Sequence, residues 1–175
     1  MRWLQALAAP LVYLWIMIFA WMMVVAHSHP AAGKERGMVH LRKGDVDVLA
    51  RTLFGEARGE RRPGMEAVAW VILNRARKGP PRFQSTIGEV CKAPYQFTCW
   101  AKSDPNARLC AAVDESDPSF LLALNVATAV LGGMVPDPVG GADHYFVTNM
   151  KNPPAWASKM RLVKRIGAHS FFIDD

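Results

Sequence analysis

Glu56 and Glu60 stand four residues apart in the run Leu49-Ala50-Arg51-Thr52-Leu53-Phe54-Gly55-Glu56-Ala57-Arg58-Gly59-Glu60. Glu56 follows the bulky pair Leu53 and Phe54, with Gly55 between. A carboxyl group against apolar walls keeps its proton to higher pH, because desolvation disfavours the charged form. An acid still protonated near neutrality can deliver that proton to a leaving oxygen, the main requirement for breaking a glycosidic bond. On this run alone, a solvated helix residue is an equal alternative. Glu60 shares the face of Glu56 if the helix continues through Gly59. It is then either a second carboxylate of one site or a partner for Arg61 or Arg62.

Other residues offer less specific chemistry. Glu66 and Asp143 are candidates for a second carboxylate that activates water. His144 and His169 fall near the C-terminus, but no H-E-x-x-H or comparable spacing surrounds them. They are expected to be structural or to touch substrate, with no metal and no cofactor. No G-x-S-x-G elbow is present, and Cys99 as a nucleophile has only the two distant histidines to activate it. Gln96 and the aromatic residues Tyr95, Phe97, Trp100, Tyr145, Phe146 and Trp156 could line a cleft. Sugar rings stack on aromatic faces, although aromatic residues are first of all core material.

The elements that must position these groups follow from periodicity. Asp45 is a plausible N-cap before Val46, Leu49, Leu53 and Phe54, whose spacing is helical, and Gly55 or Gly59 should end that helix. After the turn Arg61-Arg62-Pro63-Gly64, a second helix runs to about Arg77 with Met65, Val68, Ala69, Ile72 and Ala76 inward. The stretch 83–117 is expected to be irregular and functional or stapled. Asp117-Pro118 opens a third helix, 119–131, closed by Gly132-Gly133. Two strand candidates follow, 144–147 and 162–173, the second broken by Gly167. Helices first and strands last argue for an α+β domain.

The chain of 175 residues suits one domain and an appendage. From Trp3 to Ala26 no residue is charged, which exceeds the roughly 20 residues a spanning helix needs. Residues 1–26 are therefore expected to be a signal anchor or a signal peptide, 27–39 a linker, and 40–175 the catalytic domain. The positive charges after the span would keep the domain inside the cell, whereas a wall-directed function requires it outside. The net charge of +6 is scattered and lacks an aromatic-interleaved patch, so nucleic acid is not an expected partner. Three cysteines, Cys91, Cys99 and Cys110, are expected to give one disulfide and one spare thiol in an exported protein.

Five blocks in order resemble the SleB-like cell wall hydrolases, the spore-cortex-lytic family also found widely in bacteria and bacteriophages. They are the run Leu49–Glu60, Gly64-Met65-Glu66-Ala67-Val68-Ala69-Trp70-Val71-Ile72-Leu73-Asn74-Arg75, Gln96-Phe97-Thr98-Cys99-Trp100, Gly140-Gly141-Ala142-Asp143-His144-Tyr145-Phe146 and Ile166-Gly167-Ala168-His169-Ser170-Phe171-Phe172. The resemblance covers about Val48 to Phe172. It implies a mainly helical, lysozyme-like α+β domain with a small sheet, acting on peptidoglycan between N-acetylmuramic acid and N-acetylglucosamine. It implies that Glu56 matches the catalytic glutamate, with Glu60, Gln96, Phe97, His144, Tyr145, Trp156 and His169 as supporting or substrate-binding residues. In the lytic transglycosylase mechanism one carboxyl serves as acid and then base, so no second carboxylate is required. Thr98 departs from the serine of many relatives, and 101–116 is poorly matched. A single span and a bare catalytic domain resemble a bacteriophage signal-anchor endolysin or a membrane-tethered autolysin, monomeric, working in the periplasm or wall space. The cysteines could then act as a redox switch by disulfide exchange.

Overall fold

The structure, a computed structural model, describes residues 39–175. The expected membrane span, and all but the last residue of the expected linker, lie outside the described residues. Among the described residues no helix is long and apolar enough to cross a membrane.

Helix α1 spans Asp45–Ala57 and passes into a 3-10 turn, Arg58–Glu60. Asp45 is not its cap: Gly44 holds that position at φ 94°, a left-handed conformation that glycine adopts freely. The Asp45 carboxylate instead accepts the Arg42 amide at 2.7 Å and closes the preceding turn. Gly55 does not end the helix either. A Cβ there would sit 2.5 Å from the Cys99 Cβ, so the glycine permits a close approach between α1 and the segment around residue 99.

Helix α2, Arg61–Lys78, is the buried axis of the domain, with every residue from Gly64 to Ala76 except Glu66 removed from solvent. The stretch expected to be irregular instead carries two short helices, α3 (Ile87–Lys92) and α4 (Ala107–Ala112), around a 3-10 turn, Thr98–Trp100. Each is a single turn or two, too short for an apolar period to register in the sequence. Helix α5, Pro118–Leu131, opens as expected: the Asp117 carboxylate accepts the amides of Ser119 at 2.7 Å and Phe120 at 3.2 Å. It packs on α1 and α2, and Phe54 meets Phe120 edge-on at 6.1 Å.

Strands β1 (His144–Val147), β2 (Arg161–Ile166) and β3 (His169–Ile173) form one antiparallel sheet in the order β1-β3-β2. A 3-10 turn, Ala155–Lys159, precedes β2. Tyr145 pairs with Phe171 and Val147 with His169, and Gly167 at φ 56° makes the β2–β3 turn. Because side chains alternate along a strand, Tyr145, His169 and Phe171 share one face. His144, Phe146 and Phe172 share the other. The result is the expected α+β architecture, helix-rich with a small sheet. The expected disulfide is absent: Cys91, Cys99 and Cys110 are all free and buried.

Candidate active site

Glu56 occupies the last turn of α1, half-buried, with Oε1 shielded from solvent and without a hydrogen-bond partner. The 3-10 turn Thr98–Trp100 lies over this end of the helix. Burial raises the Glu56 pKa above its ordinary 4.5, with the negative charge of Asp104 adding to the rise. The backbone amides of Cys99 and Thr98, followed by the Cys99 thiol, restrain it. Phe54 is not part of this environment. It lies two residues away on the helix, against Phe120, with the Arg58 guanidinium over its ring at 5.3 Å. Leu53, the other apolar residue of the run, is fully buried one helical turn before Glu56, and the amides of the 98–100 segment close over the carboxyl.

From the sheet side comes Tyr145. Burial pushes its hydroxyl pKa up, and the Glu56 charge raises it further, so it stays a proton-bearing donor. His169 stands edge-on to the Tyr145 ring at 5.2 Å. Desolvation lowers the His169 pKa below 6.5 and the Glu60 carboxylate opposes this. His169 Nδ1 is buried, lacks a hydrogen-bond partner, and lies 3.9 Å from Glu60 Oε2. That same oxygen accepts the Ala168 amide at 2.9 Å. Glu56, Glu60, Tyr145 and His169 are thus brought to one side of the sheet.

The other proposed contacts separate. His144 and Trp156 are on the opposite face, where Trp156 closes against His144 at 4.9 Å, Phe172 at 5.6 Å and Phe146 at 5.7 Å. Phe97 is buried and Gln96 is held by Arg75, whose Nη1 donates to its Oε1 at 3.0 Å. Neither suggested second carboxylate is free to activate water. Asp143 is fully buried between Lys78 and His144, which hold its pKa down although burial pushes the other way. Glu66 pairs with Arg62 at 3.4 Å. Cys99 is a poor nucleophile: burial, then the Glu56 charge, push its thiol pKa up. Among the described residues no group of three or more His, Cys, Asp or Glu could hold a metal ion.

Three features escape a reading by motif. Arg75, buried in the middle of α2, donates to the Asp143 carbonyl at 2.7 Å and to Gln96, with its guanidinium 5.4 Å from the Phe97 ring centre. Thr98 and Cys99 act through backbone amides, which no side-chain pattern records. Asp104 comes from the poorly matched stretch. Only Arg75 carried a signal, a charge inside an apolar helical run.

The profile of the cell wall hydrolase family matches residues 59–172, beginning three residues after Glu56. The spore cortex-lytic enzyme of Halalkalibacterium halodurans is 34% identical over 127 residues, covering 73% of this chain and 34% of that protein. The spore cortex-lytic enzyme of Bacillus subtilis is 32% identical over 127 residues, covering 73% and 37%. The chain therefore spans about a third of the length of these curated relatives. Against the solved catalytic domain of the Bacillus cereus SleB protein the TM-score is 0.58 at 26% identity, covering 82% of this chain and 100% of that one. The catalytic domain of the germination-specific lytic transglycosylase SleB from Bacillus anthracis gives 0.57 at 26%, covering 82% and 99%. With its helical layer, three-stranded sheet and half-buried glutamate, the chain belongs to the SleB-like cell wall hydrolase family.

Proposed function

We propose that this chain cleaves the glycan strands of peptidoglycan at the N-acetylmuramic acid–N-acetylglucosamine bond, as a lytic transglycosylase with Glu56 as its one catalytic carboxyl. The observation that carries the reading is the state of Glu56: a desolvated carboxyl with a raised pKa and an unpartnered oxygen. Protonated, it donates to the glycosidic oxygen as that bond breaks. The resulting carboxylate then takes the proton of the muramyl C6 hydroxyl as that oxygen closes on C1, giving a 1,6-anhydro ring. The Thr98 and Cys99 amides stabilise the carboxylate between the two steps. The site needs no second carboxylate, consistent with the engagement of Asp143 and Glu66 elsewhere.

The test is mass spectrometry of the fragments released from purified peptidoglycan. Products one water lighter than the corresponding reducing muropeptides support transglycosylation, and reducing ends would replace it with hydrolysis. No release at all would end the reading.

We further propose that the uncharged run 3–26 tethers the domain at the membrane, facing the wall space, where its activity degrades wall or lyses a host cell. Protease digestion of intact spheroplasts tests this. A domain protected from protease would place it on the wrong side.

A further inference from the structure

Two of the three buried thiols meet against one glycine. Gly55 on α1 has no side chain, and a Cβ built there would lie 2.9 Å from Cys99 Sγ and 3.1 Å from Cys110 Sγ. Both sulfurs therefore fill the space that the glycine leaves, and they are neighbours. Cys99 comes from the Thr98–Trp100 turn and Cys110 from α4, which packs on that turn. Cys91 stands apart on α3, with its thiol turned to Thr52. A single buried cysteine packs as a small hydrophobe. Two with adjacent sulfurs can also form a bond.

The folded state restrains that bond. The thiolate, not the thiol, attacks a disulfide. Burial pushes both thiols up, and the Glu56 charge pushes Cys99 further. The two residues are only 3% and 2% exposed. Exchange is therefore slow once the domain is closed and proceeds while the turn is still open, as the chain folds.

We propose that Cys99 and Cys110 are a covalent modification site, a pair that closes to a disulfide when the domain folds in contact with a disulfide-bearing oxidant, with Cys91 left as the spare thiol. One thiolate attacks a sulfur of the oxidant R–S–S–R and expels RS⁻, and the second cysteine displaces another RS⁻ from the mixed disulfide. Two cysteines are oxidised, the oxidant is reduced to two RSH, and both cysteine protons end on the leaving thiolates. The wall space, where the domain is proposed to work, is an oxidising compartment.

Closure also removes the Cys99 proton that faces Glu56. The other titratable groups that act on Glu56, Asp104 and Tyr145, are left in place. A carboxylate that loses a donor holds its proton to higher pH. This consequence rests on the glycan-cleaving reading of Glu56, whereas the pairing does not.

The test unfolds full-length protein in detergent and refolds it with glutathione disulfide or with a thiol reductant. Denaturing alkylation and peptide mass spectrometry then read the three cysteines. The expected product is a Cys99–Cys110 linked peptide, about 2 Da below its reduced parts, with Cys91 alkylated. A linkage through Cys91, or three alkylated cysteines after refolding with glutathione disulfide, would overturn the site. Cys91→Ala should close the same pair, which keeps the assignment readable if linkages scramble. On peptidoglycan, the alkaline limb of the closed form is expected about 0.5–1 pH unit above that of the reduced form. An unmoved limb in closed protein would overturn the effect on Glu56. Protein that closes the pair but cuts no glycan would keep the site and sink the reading of Glu56.

Discussion

Glu60 Oε2 accepts the backbone amide of Ala168 at 2.9 Å, so a single carboxylate at the end of the first helical segment holds the turn between β2 and β3. A Cβ on Gly167 would collide with that oxygen, which is why the turn can seat so closely. The contact fixes the turn from which the central strand β3 starts with His169, which meets the Tyr145 ring.

Removing the acceptor should loosen this seat. Glu60→Ala is expected to cost about 1–2 kcal/mol, measured by urea unfolding, while Glu60→Gln retains an acceptor and costs less. Glu60 also supports the charged form of His169, so Glu60→Ala should lower the His169 pKa further, read by NMR. A depressed histidine contributes stability that is fully present above pH 6.5 and is lost as pH falls through the folded value. In His169→Gln protein that part of the acid destabilisation should vanish.

Glu56→Gln should lower the rate of peptidoglycan cleavage by about 10²–10⁴-fold in a turbidity or fragment-release assay. The same substitution has a signature in stability. The folded pKa of Glu56 is raised, so its contribution is present below 4.5 and is lost as pH rises through the folded value. Glu56→Gln should therefore melt higher than the parent at pH 8, with the gain absent at pH 4. On the proposed mechanism the protonated form works, so the alkaline limb of the pH–rate profile should follow Glu56. Phe54 faces Phe120, so polar substitution there should cost stability without moving that limb.

Gly55→Ala tests the approach of α1 to the 98–100 segment. Alanine is the better helix former, yet its Cβ would meet the Cys99 Cβ at 2.5 Å and Sγ at 2.9 Å. The clash should prevail, with a loss of about 1–3 kcal/mol. Activity should fall as well, because the displaced segment carries the amides that face Glu56. A variant as stable and active as the parent would contradict the close packing.

Arg75→Ala leaves the Asp143 carbonyl and the Gln96 side chain without their donor, deep beside α2. The expected cost is about 2–4 kcal/mol by thermal or denaturant unfolding. Arg75→Lys should recover little of it, since an ammonium lacks the planar fork that serves both acceptors.

The helices that carry long apolar periods are legible in the sequence. The Asp117-Pro118 start of α5 and the glycine break between β2 and β3 were plain from local chemistry. Glu56 was marked as a desolvated carboxyl by the apolar run around it, and burial does raise its pKa. What failed depended on distant contacts. Gly55 looks like a terminator until Cys99 is seen across from it. Phe54 looks like the wall of Glu56 until the 100° turn per residue and Phe120 carry it to another side. His144 and Tyr145 are neighbours in sequence and fall on opposite faces of a sheet. The amides at 98 and 99 have no side-chain signature at all.

The alternation of faces along β1 limits how this chain can change length. Insertion or loss of one residue in β1 would carry Tyr145 to the Trp156 side and His144 to the Glu56 side, exchanging a hydroxyl for an imidazole beside the carboxyl. Two residues at once would preserve the assignment. Length variation in lineages that keep the activity should therefore collect in the 148–160 connection, where no parity rule applies.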